Sequence, residues 1–254
     1  MTLSRVGTIV LSPIHAASGG PVSLTTLTAP KPARKVYERG AKALRSVEEP
    51  DHARAIPFLE RAVELHPEFA AAWEALGRVR RIVGESESAR EAFERAVEID
   101  GRFLKPFLAL IEMAVEDKDW AELESLTDRY LAMSPGSMKL RLFNSFAALK
   151  NGKPSKAKAM AEMIENAGET DDWPMTYLIL AEVYSGWGEF EQAAKLYEAY
   201  LSTLPDGQYS EQVKRTLYDW SELRVIEPVG FEISTVSKSA HTPVASSTSK
   251  EVLP

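Results

Sequence analysis

The chain has 254 residues, 44% apolar and 26% charged, the composition of a globular chain that can bury a core. Its 30 basic and 37 acidic residues give a net charge of −7, which argues against binding nucleic acid or an anionic membrane. The absence of cysteine excludes disulfides, thiolate metal sites and cysteine nucleophiles, and no apolar run is long enough to span a bilayer.

Charge is unevenly distributed. Residues 1–35 carry Arg5, Lys31, Arg34 and Lys35 and no acid, a net of +4, and residues 225–254 carry −1, which leaves −10 for residues 36–224. That middle is rich in Ala, Glu, Leu and Arg, as helices with solvated outer faces are. Residues 1–32 are rich in Ser, Thr and Pro without periodicity and read as a flexible segment. Within them residues 6–11 are apolar, but Pro13 and His15 interrupt the run too early for a strong secretory leader. A transit-peptide-like leader and an arm that docks on the rest of the chain are the other two readings, with the cytoplasm as default compartment.

From residue 33 onward a period emerges. A helix terminator recurs at Pro67, Gly101, Pro135 and Pro205, with Glu169 at the equivalent place in the longest interval. Five residues before each stand Ala62, Ala96, Tyr130, Ile164 and Tyr200; twelve before stand Ala55, Ala89, Leu123, Ala157 and Ala193. The units run at about 33–69, 70–103, 104–137, 138–173 and 174–207, each predicted as two helices. In the second, Trp73, Leu76, Gly77 and Arg80 share one helix, and Ala89, Phe93, Ala96 and Val97 the next. The small residues Gly77, Ala89 and Ala96 let the two backbones approach closely. Pro106, Pro154 and Pro174 fall at tolerant helix starts, whereas Pro57 lies inside a predicted helix and should kink it.

This pattern resembles the tetratricopeptide repeat over residues 33–207. The second unit matches through Trp73, Leu76, Gly77, Ala89, Phe93 and Ala96, and the fifth through Tyr177, Leu180, Ala181, Tyr184, Ala193, Tyr197 and Pro205. The third departs at Leu123 and Tyr130, and the fourth at Arg141, Asn144 and Ser145. After Pro205, Tyr209, Val213, Leu217 and Trp220 recur at helical spacing with a polar opposite face, which suits a capping helix. The expected architecture is all-α: a right-handed α-solenoid of about five helix pairs over residues 33–224 with that cap, and a disordered Ser/Thr-rich tail at 225–254.

The resemblance implies that the second, fifth, ninth and twelfth residues of each unit face an inner groove. These are Ala71, Glu74, Arg78 and Arg81; Lys105, Leu108, Glu112 and Val115; Lys139, Leu142, Phe146 and Leu149; and Met175, Leu178, Glu182 and Ser185. The first half is charged and the second apolar, which suits an amphipathic helix or an extended peptide with apolar anchors. In the fourth unit, either Leu142, Phe146 and Leu149 are exposed and a partner or flanking segment covers them, or the helix rotates and buries them in the core. Members of the family that grip chaperone C-termini use lysine and asparagine at groove positions occupied here by Tyr37, Ala41, Ala75, Lys105 and Ala109; only Lys105 fits.

No constellation for catalysis, metal or cofactor stands out. His15, His52, His66 and His241 lack ligand spacing, Glu112/Glu116 and Asp117/Asp119 read as solvated acids, and Gly186-Trp187-Gly188 lacks the strand and lysine of a phosphate loop. RNA-reading helical repeats are usually basic, unlike this chain. The expected function is a non-catalytic adaptor or scaffold for a protein partner; the alternative is a self-associating subunit that exchanges its N-terminal arm.

Overall fold

The computed structural model describes residue 23, residues 25–44 and residues 52–229, and among these every regular element is an α-helix. They are α1 (Thr25–Thr28), α2 (Lys31–Leu44), α3 (His52–Leu65), α4 (Ala70–Ile82), α5 (Ser86–Ile99) and α6 (Leu104–Asp117), then α7 (Trp120–Met133), α8 (Met138–Lys150), α9 (Pro154–Asn166), α10 (Met175–Gly186), α11 (Phe190–Thr203) and α12 (Ser210–Glu222). Helices α2 to α11 form five successive antiparallel pairs, each packed chiefly on its own partner and on its chain neighbours, and α12 closes the last pair. The first helices of neighbouring pairs also touch directly, α4 on α6 and α8 on α10, so they form the inner wall of an α-solenoid.

Local chemistry sets the helix limits. Asp119 caps α7 by accepting from the Glu122 amide at 2.9 Å, Ser137 caps α8 by accepting from Leu140, and Pro154 occupies the first turn of α9. The turn inside each of the last four pairs passes through a left-handed residue: Gly84, Gly152 and Gly188 in the second, fourth and fifth pairs, but Lys118 (φ 58°) in the third. Helix α3 continues through Pro57, which lies on its exposed face in the second turn.

Close approach inside a pair depends on one small residue facing one carbonyl. A Cβ added at Gly77 would lie 2.8 Å from a Phe93 ring carbon and 3.0 Å from the Ala89 carbonyl; one at Gly40 would lie 3.0 Å from Leu59. Ser145 holds the equivalent place in the fourth pair. Its hydroxyl donates to the Ala157 carbonyl at 2.6 Å, turning a potential clash into a hydrogen bond. In the third pair the places belong to buried Ile111 and Leu123, and α6 and α7 pack less intimately than the other four pairs.

The buried apolar residues form two clusters rather than one continuous spine. Unit one and α4, with Phe103, make the first; α5 and everything after it make the second. The boundary lies between the two helices of the second unit, where Gly77 and Ala89 offer little apolar bulk. Arg81 bridges the boundary to Glu112 at 2.7 Å, while Arg80 with Glu60 at 3.0 Å and Arg90 with Glu122 at 2.7 Å join adjoining pairs on either side of it.

The fourth unit is corrected most. Leu142 and Phe146, which might have been exposed, are 4% and 0% exposed, because α8 is packed between α7, α9 and α10 and is buried on nearly every side. Phe146 meets Trp120 edge-to-face at 5.2 Å. Asn144 is fully buried, its amide nitrogen 2.8 Å from both Thr127 Oγ1 and Asp128 Oδ1. The neighbouring Glu124 carboxylate, also buried, accepts from Asn151 at 2.6 Å, Lys156 at 2.7 Å and Lys153 at 2.9 Å. Burial alone would raise its pKa, but the hydrogen bonds from Lys156, Asn151 and Lys153 outweigh burial and hold it at about 2.

The N-terminal expectation is also corrected in part. Within residues 1–32, residue 23 and residues 25–32 are placed. Thr25 Oγ1 accepts from the first amide of α4 at 3.1 Å, Ser23 Oγ donates to Asp100 at 2.6 Å, and Ala29 is buried. That is the docked-arm reading for this stretch. At the other end, buried Ile226 and half-buried Val225 and Val229 extend the packed region beyond residue 224. The remaining expectations for residues 1–22 and 230–254 lie outside the described residues.

Three outcomes follow. Gly77→Ala gains helix propensity but overpacks Phe93, and a net loss of about 1 kcal/mol, seen as a melting point lower by about 2–4 °C, is expected. Lys118→Gly removes left-handed strain and should raise stability by up to about 1 kcal/mol in urea titration. Because the folded pKa of Glu124 lies below its unfolded value of 4.5, its contribution is complete above pH 4.5 and is lost as pH falls toward 2. Glu124→Gln should therefore cost about 3 kcal/mol at neutral pH, and the gap to wild type should close in acid.

Candidate functional site

The inner wall is built from α2, α4, α6, α8 and α10, and its charged half is largely satisfied by the protein itself. Arg81 on α4 reaches across to α6, donating to Glu112 at 2.7 Å and Glu116 at 2.5 Å. Burial works against the charged guanidinium, but the two carboxylates more than offset it and its pKa is raised. Glu74 is only 9% exposed, with Arg78 at 3.9 Å. Its pKa is raised by burial, with Arg78 and Lys105 pulling the other way. Four residues expected in the charged half, Glu74, Arg78, Arg81 and Glu112, thus stabilise one another as much as they offer charge to a ligand.

The apolar half divides by accessibility. Leu142, Phe146, Leu178, Ala71 and Ser185 are all buried. Leu108, Val115, Leu149 and Met175 are half-buried, packed on the core yet reachable. Glu182 accepts from the Tyr197 hydroxyl at 2.9 Å, and Lys139 lies 5.9 Å over the Phe143 ring. Leu108, Val115 and Leu149 therefore remain partly accessible, whereas Phe146 and Leu178 are withdrawn into the core.

At the lip of the wall, where α8 and α10 begin, a pocket of about 290 Å³ opens. Lys139, Leu142 and Phe143 line it from α8, Trp173, Pro174 and Met175 from the start of α10, Tyr200 and Leu204 from the end of α11, and Tyr209 from the entry to α12. Its volume lies near the lower limit of about 300–1,000 Å³ for ligand pockets, and its lining is apolar and aromatic with few polar groups. Sequence reasoning found Lys139, Leu142 and Met175 but missed Phe143, on the same helix as Leu142, and Trp173, Tyr200, Leu204 and Tyr209, which come from inter-pair turns and a second helix. The Trp173-Pro174 step just before a helix was the available signal.

The acids that might have formed an acid–base pair have structural partners: Glu112 and Glu116 hold Arg81, Asp117 accepts from Arg90 at 2.5 Å, and Asp119 caps α7. Gly186, Trp187 and Gly188 lie at the end of α10 and in its turn to α11. Among the described residues no group of His, Asp and Glu is arranged to hold a metal ion, and no helix is long and apolar enough to cross a membrane.

Helix pairs repeating every 34 residues around an inner wall define a helical-repeat solenoid. The tetratricopeptide repeat family model matches residues 70–103, the second unit. A TPR repeat-containing protein of Pseudomonas aeruginosa is 38% identical over 47 residues, 18% of this chain and 45% of that protein, so the match spans about half the relative's length. Among solved structures, YrrB, described as a TPR protein with an unusual peptide-binding site, aligns with a TM-score of 0.61 at 18% identity, over 70% of this chain and 90% of YrrB. A MamA structure aligns at 0.56 and 16% identity over 70% of this chain and 94% of MamA; PilW, described as a type IV pilus biogenesis factor, aligns at 0.50 and 18% identity over 75% of this chain and 88% of PilW. At such identities these likenesses establish the fold. The chain thus has the fold of tetratricopeptide-repeat proteins, and its second unit matches that family's model.

Proposed function

We propose that this protein is a non-catalytic adaptor whose inner groove binds a peptide or amphipathic helix of a partner protein. The observation that carries the reading is the 290 Å³ aromatic pocket at the groove lip, together with the partly accessible apolar side chains Leu108, Val115 and Leu149 on the first helices. Apolar side chains left in contact with water forgo about 25 cal/mol per Å², so a partner that covers them gains affinity without remodelling the core. A preformed pocket lowers the cost further, since little must be ordered on binding.

The charged half supplies direction rather than bulk affinity. Arg78 and Lys105 stand on the wall next to Glu74, while Arg81 is already engaged by Glu112 and Glu116. A partner that anchors an apolar side chain in the lip pocket finds further apolar contacts at Leu149, Val115 and Leu108 and charged ones at Arg78 and Lys105. YrrB, a protein of the same fold, is described as having an unusual peptide-binding site, which supports a peptide as the ligand.

Selecting peptides from a displayed library against the full chain tests the reading. Enriched peptides should carry apolar anchors at regular spacing. Met175→Asp and Leu149→Asp, both at partly accessible positions, should each weaken their binding at least about tenfold, or about 1.4 kcal/mol, while the melting point changes little. Selected peptides that bind both variants as well as wild type would place the site elsewhere.

A further inference from the structure

Outside the groove, two helix faces carry uncompensated charge of opposite sign in matching arrays. Lys31, Lys35, Arg39 and Lys42 form an exposed stripe on α2, with Glu38 the one acid among them. Glu87, Glu91, Glu94 and Glu98 form an exposed stripe on α5. Each stripe covers eleven residue steps, roughly 16 Å of helix. No ion pair joins Lys31, Lys35, Arg39 or Lys42 to another described residue; on α5, Glu98 pairs with Arg95 at 2.9 Å, while Glu87, Glu91 and Glu94 have no ion pair there. The neighbouring arginines do not relieve the glutamates. Arg90 is taken up by Asp117 and Glu122, and Arg95 is shared between Glu98 and Glu68. Negative charge on Glu94 is felt as far as Glu122, whose pKa is raised by burial, with the neighbouring acids Asp119 and Glu94 adding to it against Arg90.

Like charges three and four residues apart destabilise a helix by about 0.2–0.5 kcal/mol per pair, and both stripes repeat that arrangement along their length. Helix α2 is the first helix of the first pair, so no earlier repeat covers its outer side among the described residues. We propose that the basic face of α2 docks on the acidic face of α5 of a second copy of this chain. Opposed stripes of equal length place three or four lysine or arginine side chains against as many glutamates, and each face relieves the other's internal repulsion. The contact is electrostatic and leaves the inner groove open, so self-association and partner binding are independent. Paired two-fold, the contact is made twice and stops at a dimer; head to tail, it continues along a chain of copies.

Net charge makes the test decisive. Two copies at −7 each repel, so salt should strengthen an association driven by apolar surface and weaken one driven by local complementarity. In light scattering of the full chain at about 20 mM salt, mass should rise above the monomer with concentration and return to the monomer at about 300 mM. The double charge reversal Lys35→Glu with Arg39→Glu should abolish association, as should Glu91→Lys with Glu94→Lys, and mixing the two double variants should restore it. Failure of the mixture to associate, while each variant keeps the wild-type circular dichroism, would overturn the proposal. So would a strict monomer at low salt; if that monomer bound phosphatidylserine vesicles through Lys35 and Arg39, the basic face would belong to a membrane surface instead.

Discussion

The contact between a small residue on the first helix of a pair and a carbonyl on the second is the constraint from which this structure follows. At Gly77 there is no space for a Cβ, since Phe93 and the Ala89 carbonyl already occupy it. Bringing the two axes that close lets Phe93 and Leu76 bury completely, and the buried area rather than intrinsic helix propensity makes a helix of thirteen or fourteen residues stable. The fourth pair meets the same constraint with different chemistry, because the Ser145 hydroxyl satisfies the carbonyl it would otherwise crowd. Where Ile111 and Leu123 violate it, the pair stands further apart.

Polar groups take over where apolar bulk is scarce. The boundary between the two apolar clusters passes through the second unit, and arginines 80, 81 and 90 reach across the adjoining pairs to carboxylates. A partly buried guanidinium with two carboxylates keeps its hydrogen bonds while excluding water from the joint. Around Glu124 the same principle works at greater depth: two lysines and Asn151 surround a carboxylate that would be costly to bury alone. These clasps fix the relation of one pair to the next, and so the shape of the wall that a partner meets.

The groove's character follows from those decisions. Residues recruited to hold the repeats together, such as Arg81, Glu112, Leu142 and Phe146, have less to offer a ligand. What is left reachable is a few partly accessible apolar side chains and a pocket formed where two inter-pair turns meet the start of α8. Free charge has moved outward, to the exposed faces of α2 and α5.

The fold was legible in the sequence because its determinants are local and periodic. Trp73, Gly77, Ala89, Phe93 and Ala96 recur in phase, and the second unit's limits of 70 and 103 could be read from terminators and small residues alone. Residues 175, 142 and 139 of the lip pocket were legible for the same reason, as fixed places in a repeating unit. Long-range packing decided the rest. Whether Phe146 is exposed or buried depends on how α8 sits between α7, α9 and α10, and whether Asn144 is tolerated in the core depends on acceptors some seventeen residues earlier. Periodicity specifies which side chains share a face of one helix; only the neighbouring helices determine which of those faces still meets water.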